Sequence, residues 1–211
     1  MDSRCIAPHS PRGPAAARWD HKKGNLIRIG IIIGSTRPGR VGESIARWVS
    51  GRASQRTDAE FSLVDLKDYG LELLNEPTVP GAANRQYENP ATRRWSQTID
   101  ALDGFVFVTP EYNHGVPAAL KNAVDLLYPE WNHKAIGFVS YGADGGVRAV
   151  EHWRTIVANT LMQDVRAQVS LSVFLDFENG AFRPSERRDG ELDIMLSQLV
   201  ALTSALKTLR G

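Results

Sequence analysis

Leu26 to Arg40, reading LIRIGIIIGSTRPGR, limits what this chain can fold into more than any other stretch. From Leu26 to Ile33 the residues are nearly all apolar and rich in isoleucine, with Arg28 as the only charge. A run of that length and β-branching predicts a strand buried on both faces, as at the centre of a parallel sheet. It stops at Gly34, and a polar turn bearing Gly and Pro follows. Val41, Ile45, Trp48 and Val49 then recur at helical spacing, so the order is strand, turn, helix. Such a turn aims backbone N–H groups and the positive end of a helix dipole at one point, where a phosphate fits. Ser35 and Thr36 add hydroxyls there, and Arg37 and Arg40 add charge.

Two common phosphate loops fail on residue identity. The dinucleotide pattern G-x-G-x-x-G is absent. Gly34 and Gly39 have the spacing of a nucleoside-triphosphatase loop, but Arg40 replaces its lysine and Val41 its magnesium-binding hydroxyl. That removes ATP and GTP hydrolysis and leaves a monophosphate held by backbone, hydroxyl and guanidinium groups. A plain βα turn with solvent-facing arginines accounts for the same residues.

Composition narrows the field further. Lysine plus arginine number 25 against 24 aspartate plus glutamate, so no overall field favours nucleic acid or an anionic membrane. No apolar run approaches the roughly 20 residues of a spanning helix. The single cysteine, Cys5, forbids an intramolecular disulfide and a Cys-rich metal site, and no H-x-x-x-H pair is present. A cytoplasmic protein with no structural metal is expected. Residues 1–25 are rich in Pro, Ala and Arg, lack periodicity and lack the apolar centre of a secretory signal. They are expected to be a disordered tail, with the folded domain covering 26–211 and Cys5 incidental. Asp2 and Asp20 speak against a transit peptide.

Further strands are expected at Phe61 to Asp65 (an edge, given Ser62), Phe105 to Val108, Ala135 to Val139, and Val169 to Val173 at the other edge. Leu66 to Asn89 lacks a period, and long irregular loops in compact domains are often functional. Asn89-Pro90 reads as a helix cap and first residue, with Trp95, Ile99 and Leu102 on one face and Gly104 as the stop. Pro117 starts the next helix, through Leu120, Ala123, Val124 and Leu127. Another carries Val150, Trp153, Val157 and Leu161 inward. Asp176 to Asp189 reads as loop, and Glu191 to Leu209 as a closing amphipathic helix.

Strands and helices that alternate with no hairpin signal predict an α/β fold with a parallel sheet covered on both faces. Informative loops follow strands one, three and four: GSTRPGR, PEYNHG and SYGADGG. They converge if those strands are neighbours, as in the flavodoxin-like three-layer fold of five parallel strands, order 2-1-3-4-5.

GSTRPGR, PEYNHGVPAALKNAVD and SYGADGG together resemble the NADPH-dependent FMN reductase family, flavodoxin-like proteins that include quinone, azo-dye and chromate reductases. The resemblance covers roughly Leu26 to Phe174 and implies a bound FMN with NADPH or NADH as co-substrate. Ser35 and Arg37 would bind the FMN phosphate, within a first turn that also holds Thr36, Arg40 and Val41. Many relatives have a serine or threonine where this chain has Arg40, so a salt link replaces a hydroxyl bond or the side chain swings out. Pro110, Glu111, Tyr112 and Asn113 would flank the flavin ring. Ser140, Tyr141, Gly142 and Gly145 would close its other side, with Gly146 helping backbone approach a flat ring.

The resemblance makes FMN the carrier of the chemistry, with no catalytic side chain. Hydride would pass from the nicotinamide to the flavin, and electrons from there to a quinone, azo compound, metal oxyanion or free flavin. Coenzyme choice would fall to Arg40 or Arg85. Homodimers or homotetramers are expected, with Lys121, Asn122 and Trp131 as interface candidates, Trp131 equally as a substrate wall. His114 reads as an exposed loop histidine, although a proton donor would also sit there. The competing class is a flavodoxin-type electron carrier or flavin-bound regulatory module without turnover. A carrier would carry strong acidity to steer toward partners, which a net charge of +1 does not supply. Serine hydrolysis has no G-x-S-x-G frame around Ser140.

Overall fold

The computed structural model describes residues 26–210, and the expectations for residues 1–25, Cys5 among them, lie outside the described residues. In chain order the elements are β1 (Ile27–Ile33), α1 (Gly42–Ala53), β2 (Ala59–Asp65), α2 (Pro90–Asp100), β3 (Gly104–Pro110) and α3 (Ala118–Asp125). There follow β4 (Ala135–Gly142), α4 (Val147–Asn159), β5 (Gln163–Ser172), β6 (Phe177–Glu178), β7 (Ala181–Phe182) and α5 (Glu186–Lys207). The main sheet is β2-β1-β3-β4-β5, every pair parallel, which is the expected order.

Side-chain alternation divides the sheet between two helical layers. Ile29, Ile31 and Ile33 of β1 pack with Ile45 and Val49 of α1 and Leu192, Leu196 and Leu199 of α5. Ile32 points the other way, into a core with Trp95 of α2, Leu120 of α3 and Trp153 of α4. β3 repeats the division, with Val106 and Val108 on the first side and Phe105 and Phe107 on the second. The unbroken apolar run of β1 therefore reflects burial on both faces.

Trp95, Trp131 and Trp153 are fully buried, and each indole N–H is satisfied. Trp95 donates to the Ala123 carbonyl at 2.8 Å, Trp131 to that of Val124 at 3.1 Å, and Trp153 to Thr109 Oγ1 at 3.0 Å. Trp131 packs edge-on against Phe105, ring centroids 5.0 Å apart. It is a core residue and neither an interface contact nor a substrate wall.

Several expected boundaries move, for physical reasons. Asn89 does cap α2, accepting from the Ala91 N–H at 2.8 Å, with Pro90 first in the helix. Gly104, however, opens β3 instead of ending that helix. Thr203 Oγ1 of α5 lies 2.6 Å from where its Cβ would be, so close helix–sheet packing explains the glycine. Leu161 is 42% exposed at φ 57°, because α4 has already ended. β5 begins at Gln163, before the expected Val169; its outer half carries Asp164 and Arg166, which hid it.

The stretch read as loop after β5 contains a hairpin. β6 and β7 pair antiparallel across Asn179 and Gly180, at φ 49° and 78°. Asn-Gly with positive φ at both positions is a strong two-residue hairpin signal, set here in a polar stretch whose composition reads as loop. Phe182 meets Trp48 of α1 edge-on at 5.4 Å. α5 starts at Glu186, earlier than the expected Glu191. By length and composition this helix could cross a membrane, but Leu192, Met195, Leu196 and Leu199 lie fully buried against the sheet.

Lys134, just before β4, is 3% exposed and donates to the carbonyls of Ile99 and Asp100 at 2.7 and 3.2 Å, closing the carboxyl end of α2. Desolvation lowers its pKa to about 7; Asp100 and Asp103 oppose the shift, while Arg210 and Arg85 reinforce it. The folded value lies below the unfolded one, so between about pH 7 and the usual lysine value near 10.4 the unfolded chain binds the extra proton. Stability should therefore rise with pH across that window. Lys134→Met should flatten this component when urea midpoints at about pH 7 and about pH 9 are compared; an unchanged slope would place the titration elsewhere.

Candidate functional site

The turn after β1 is held by its own residues. Gly34 donates to the Val108 carbonyl at 2.9 Å, tying the turn to β3. A Cβ at this position would meet Leu120 Cδ2 at 2.6 Å and the Val108 carbonyl at 3.0 Å, so only glycine allows the approach. Ser35 is 2% exposed; its Oγ shares a 2.9 Å hydrogen bond with Tyr112 Oη and accepts from the Arg37 N–H at 3.4 Å. Gly39, at φ 67°, completes the turn. Val41 precedes α1 with no side-chain cap, leaving the first N–H groups of the helix for a ligand.

The two arginines of this turn have different duties. The Arg40 side chain is 8% exposed and donates to the Asp65 carboxylate and, at 2.8 Å, to the Ser35 carbonyl. It clamps the turn to the end of β2 and is committed there, so it neither swings out nor remains free for a phosphate. Arg37 is exposed, and Thr36 half-buried beside it.

In the second loop, the Glu111 carboxylate departs from the expected ring-flanking role. It accepts from the backbone N–H groups of Arg148 and Ala149 at 3.0 and 3.3 Å and pairs with the Arg148 guanidinium at 2.8 Å. Gly146 cannot cap α4 with a side chain, and Glu111 does so from another loop. Its own N–H donates to the Tyr141 carbonyl at 3.0 Å. Beyond it, Tyr112 and Gly115 exchange hydrogen bonds of 3.1 and 2.9 Å around Asn113 and His114, both at positive φ. His114 is exposed at this tip, as expected, and Tyr112 is 40% exposed.

The third loop is built from the inside. Ser140 is fully buried, and its Oγ donates to the Gly145 carbonyl at 2.7 Å, so it shapes the loop instead of facing a ligand. Gly145 and Gly146 stand at φ 75° and 73°; a Cβ on Gly146 would come within 2.9 Å of Ser140 Cβ and the Tyr141 nitrogen. Tyr141 is also not on the wall expected of it. It is 6% exposed, packs with the α1 and α5 side of the core, and directs its hydroxyl toward Gly42 at the start of α1.

The structure thus brings Ser35, Thr36, Arg37, Val41, Pro110, Tyr112, Asn113, Gly142 and Gly145 to one rim of the sheet. Arg85 is absent from it. That guanidinium pairs with Asp100 at 3.0 Å and lines a cavity of about 350 Å³ with Asp103 and Lys134, at the amino ends of β3 and β4. Asn122 acts as a strap, donating to the Glu72 carbonyl at 2.8 Å and accepting from the Leu74 N–H at 2.9 Å. Lys121 pairs with Asp125 one turn on, at 2.6 Å. A second cleft of about 350 Å³ lies beside the rim, lined by Thr36, Lys67, Leu71, Leu73, Ala118 and Asn122. Asp65 and Arg148, the ionic anchors of two loops, have no signature in the sequence. They lie 25 and 37 positions from their partners, and nothing local marks them.

An uncapped helix start, a buried serine hydroxyl and an exposed arginine in one place suit a phosphate monoester. With the parallel 2-1-3-4-5 sheet, that turn defines a flavodoxin-like α/β protein whose first loop suits an anion. Residues 27–176 match the family described as NADPH-dependent FMN reductase, and the chain belongs to that family. It is 44% identical over 119 residues to an NAD(P)H-dependent FMN reductase of Schizosaccharomyces pombe, covering 56% of this chain and 60% of that one. The counterpart in Saccharomyces cerevisiae is 37% identical over 140 residues, 62% of this chain and 73% of that one. A quinone reductase of Escherichia coli K12 is 30% identical over 139 residues, 62% and 69% of the two chains. The chain spans less than two thirds of the length of the S. pombe relative and of a Nectria relative, 60% and 64%. Among solved structures, a flavoenzyme NAD(P)H:(acceptor) oxidoreductase from Paracoccus denitrificans shares the fold at TM-score 0.64 and 16% identity, covering 82% of this chain and 97% of that one.

Glu111 supplies a test of how the rim is held. Burial opposes its ionisation, but the Arg148 hydrogen bond and the two backbone donors outweigh burial and leave its pKa below the usual value. A depressed folded value stabilises the fold above the unfolded pKa, near 4.3, and that contribution disappears as pH falls through the folded value. Glu111→Gln should cost about 1–2 kcal/mol at neutral pH, with the deficit narrowing below about pH 4. Urea unfolding of both proteins at the two pH values checks this; a deficit independent of pH would deny the carboxylate that role.

Proposed function

We propose that this chain is an FMN-dependent NAD(P)H oxidoreductase serving a small-molecule acceptor. Bound FMN would supply the redox chemistry between NADPH or NADH and a quinone, azo compound, metal oxyanion or free flavin. The observation that carries this is the first turn, where the open start of α1, Ser35 and the exposed Arg37 suit the flavin phosphate within a chain of this family.

The remaining residues are assigned by what they leave available. The Tyr112–Gly115 turn spends two N–H groups on its own closure, so those of Asn113 and His114 are the donors this tip offers to the edge of the ring. Donors set there in advance would stabilise negative charge at that edge without reorganising. Gly142 and Gly145 let the third loop approach a flat ring. Arg40 and Glu111 act one step removed, holding the first loop to β2 and the second loop to α4. Assembly as a homodimer or homotetramer and a cytoplasmic location complete the proposal. The exposed Phe174 and Leu175, 75% and 82% accessible beside the third loop, favour self-association.

Arg37→Ala should weaken FMN binding about tenfold or more, with the loss shrinking at high salt, since an exposed cation on a phosphate is screened. Flavin fluorescence titration of wild type and variant measures this, and undiminished retention removes Arg37 from the site. For the activity, the yellow protein is mixed with NADPH and a quinone. Rapid NADPH oxidation is expected, whereas flavin that binds without turnover would return the protein to the class of carriers.

A further inference from the structure

The turn after β1 and the PEYNHG loop after β3 are joined, among the described residues, by the 2.9 Å hydrogen bond between Ser35 Oγ and Tyr112 Oη, across 77 positions of chain. Its two ends differ in access, Ser35 being 2% exposed and Tyr112 40%. The Tyr112 backbone is fixed as well. It exchanges hydrogen bonds of 3.1 and 2.9 Å with Gly115 around Asn113 and His114, which stand at φ 49° and 63°. Side-chain-bearing residues keep that conformation only where their surroundings hold them. A phenol anchored on the first turn is therefore placed to set the attitude of the whole tip, including the N–H groups of Asn113 and His114 that its closure leaves unspent.

Counting protons gives this bond a direction. A serine hydroxyl has one proton and two lone pairs. One lone pair of Ser35 receives the Arg37 N–H at 3.4 Å. With no anion at the turn, the bond to Tyr112 runs either way, since either oxygen can donate. An ionised phosphate oxygen only accepts, so it claims the Ser35 proton, and the Tyr112 proton fills the second lone pair. Both capacities of Ser35 are then used. Hydrogen bonds that end on an anion are shorter and stronger, and successive ones polarise each other, so the bond between the loops tightens.

Building on the flavin reading above, we propose that Tyr112 is a positioning residue that couples the two ends of the flavin site: its phenol donates to Ser35, Ser35 donates to a phosphate oxygen, and the tightened bond holds the Asn113–His114 tip for the ring. Phosphate and ring then bind cooperatively, each raising the affinity for the other by the same factor. No covalent bond is made or broken; only hydrogen bonds are redistributed.

The test splits the ligand, with riboflavin for the ring and inorganic phosphate for the other end. In wild type, saturating phosphate at constant ionic strength should tighten riboflavin about fivefold, read by flavin fluorescence. Tyr112→Phe keeps the aromatic ring and loses only the hydroxyl. In that variant phosphate should leave riboflavin affinity unchanged, and FMN should bind about fivefold more weakly than in wild type. In a Ser35→Ala background the same change should cost FMN nothing further, because the phenol acts through Ser35. Absence of tightening by phosphate in wild type, an equal phosphate effect in Tyr112→Phe, unchanged FMN affinity in that variant, or an FMN loss that persists in the Ser35→Ala background would each overturn the proposal. A wild-type chain that bound neither flavin would overturn the flavin reading itself, and the coupling with it.

Discussion

Two-sided burial of β1 is the constraint from which the rest of the molecule follows. Ile29, Ile31 and Ile33 fill one helical layer and Ile32 the other, so a slip of one residue would exchange the two sets and leave both layers mispacked. The strand therefore ends at one place relative to its neighbours. Gly34 emerges level with Val108, close enough to donate to its carbonyl at 2.9 Å. Only then can the turn of β1 and the loop of β3 share a rim. The site is placed by apolar packing well before any charged residue acts.

Charge at the rim divides into groups that hold loops and groups that face outward. Arg40 with Asp65, and Glu111 with Arg148, join segments distant in sequence, and each pair includes a side chain only 8% exposed. Partly buried pairs of this kind are worth their geometry more than their Coulomb energy, since desolvation offsets much of the attraction. What they provide is a fixed separation between loops. Arg37 has no such duty in the fold and is the exposed guanidinium of the first turn. A motif scan sees two arginines three positions apart and weighs them alike, whereas burial assigns one to the scaffold and leaves the other facing outward.

Legibility in the sequence followed locality. The sheet order, β1, the Asn89 cap and the convergence of three loops were all readable, because each rests on periodicity, turn chemistry or strand count. The Asn179-Gly180 hairpin was equally local and readable, and was masked by the polar residues around it. Glu111 was a different matter. Its position between Pro110 and Tyr112 placed the backbone correctly, but the direction of its carboxylate depends on an α4 amino end that lacks a capping side chain. Gly104 likewise looked like a helix stop until Thr203, on a helix nearly a hundred residues away, supplied the packing reason. Side-chain partners at long separation have no linear signature.

Tyr141 stands between these cases. On β4, Ala135 and Val139 face the α1 and α5 layer while Ile136 and Phe138 face the other. Strand parity alone puts Tyr141 with Ala135 and Val139, pointing at α1. That pattern is legible in the sequence, although the glycine-rich loop beside it gives the stronger local signal. Parity also explains why Gly42 must lack a side chain: the phenol occupies the volume a Cβ would need. A residue at the end of a buried strand thus reaches beneath the turn of the neighbouring layer, and a hydroxyl placed there is buried by the same packing that fixes β1.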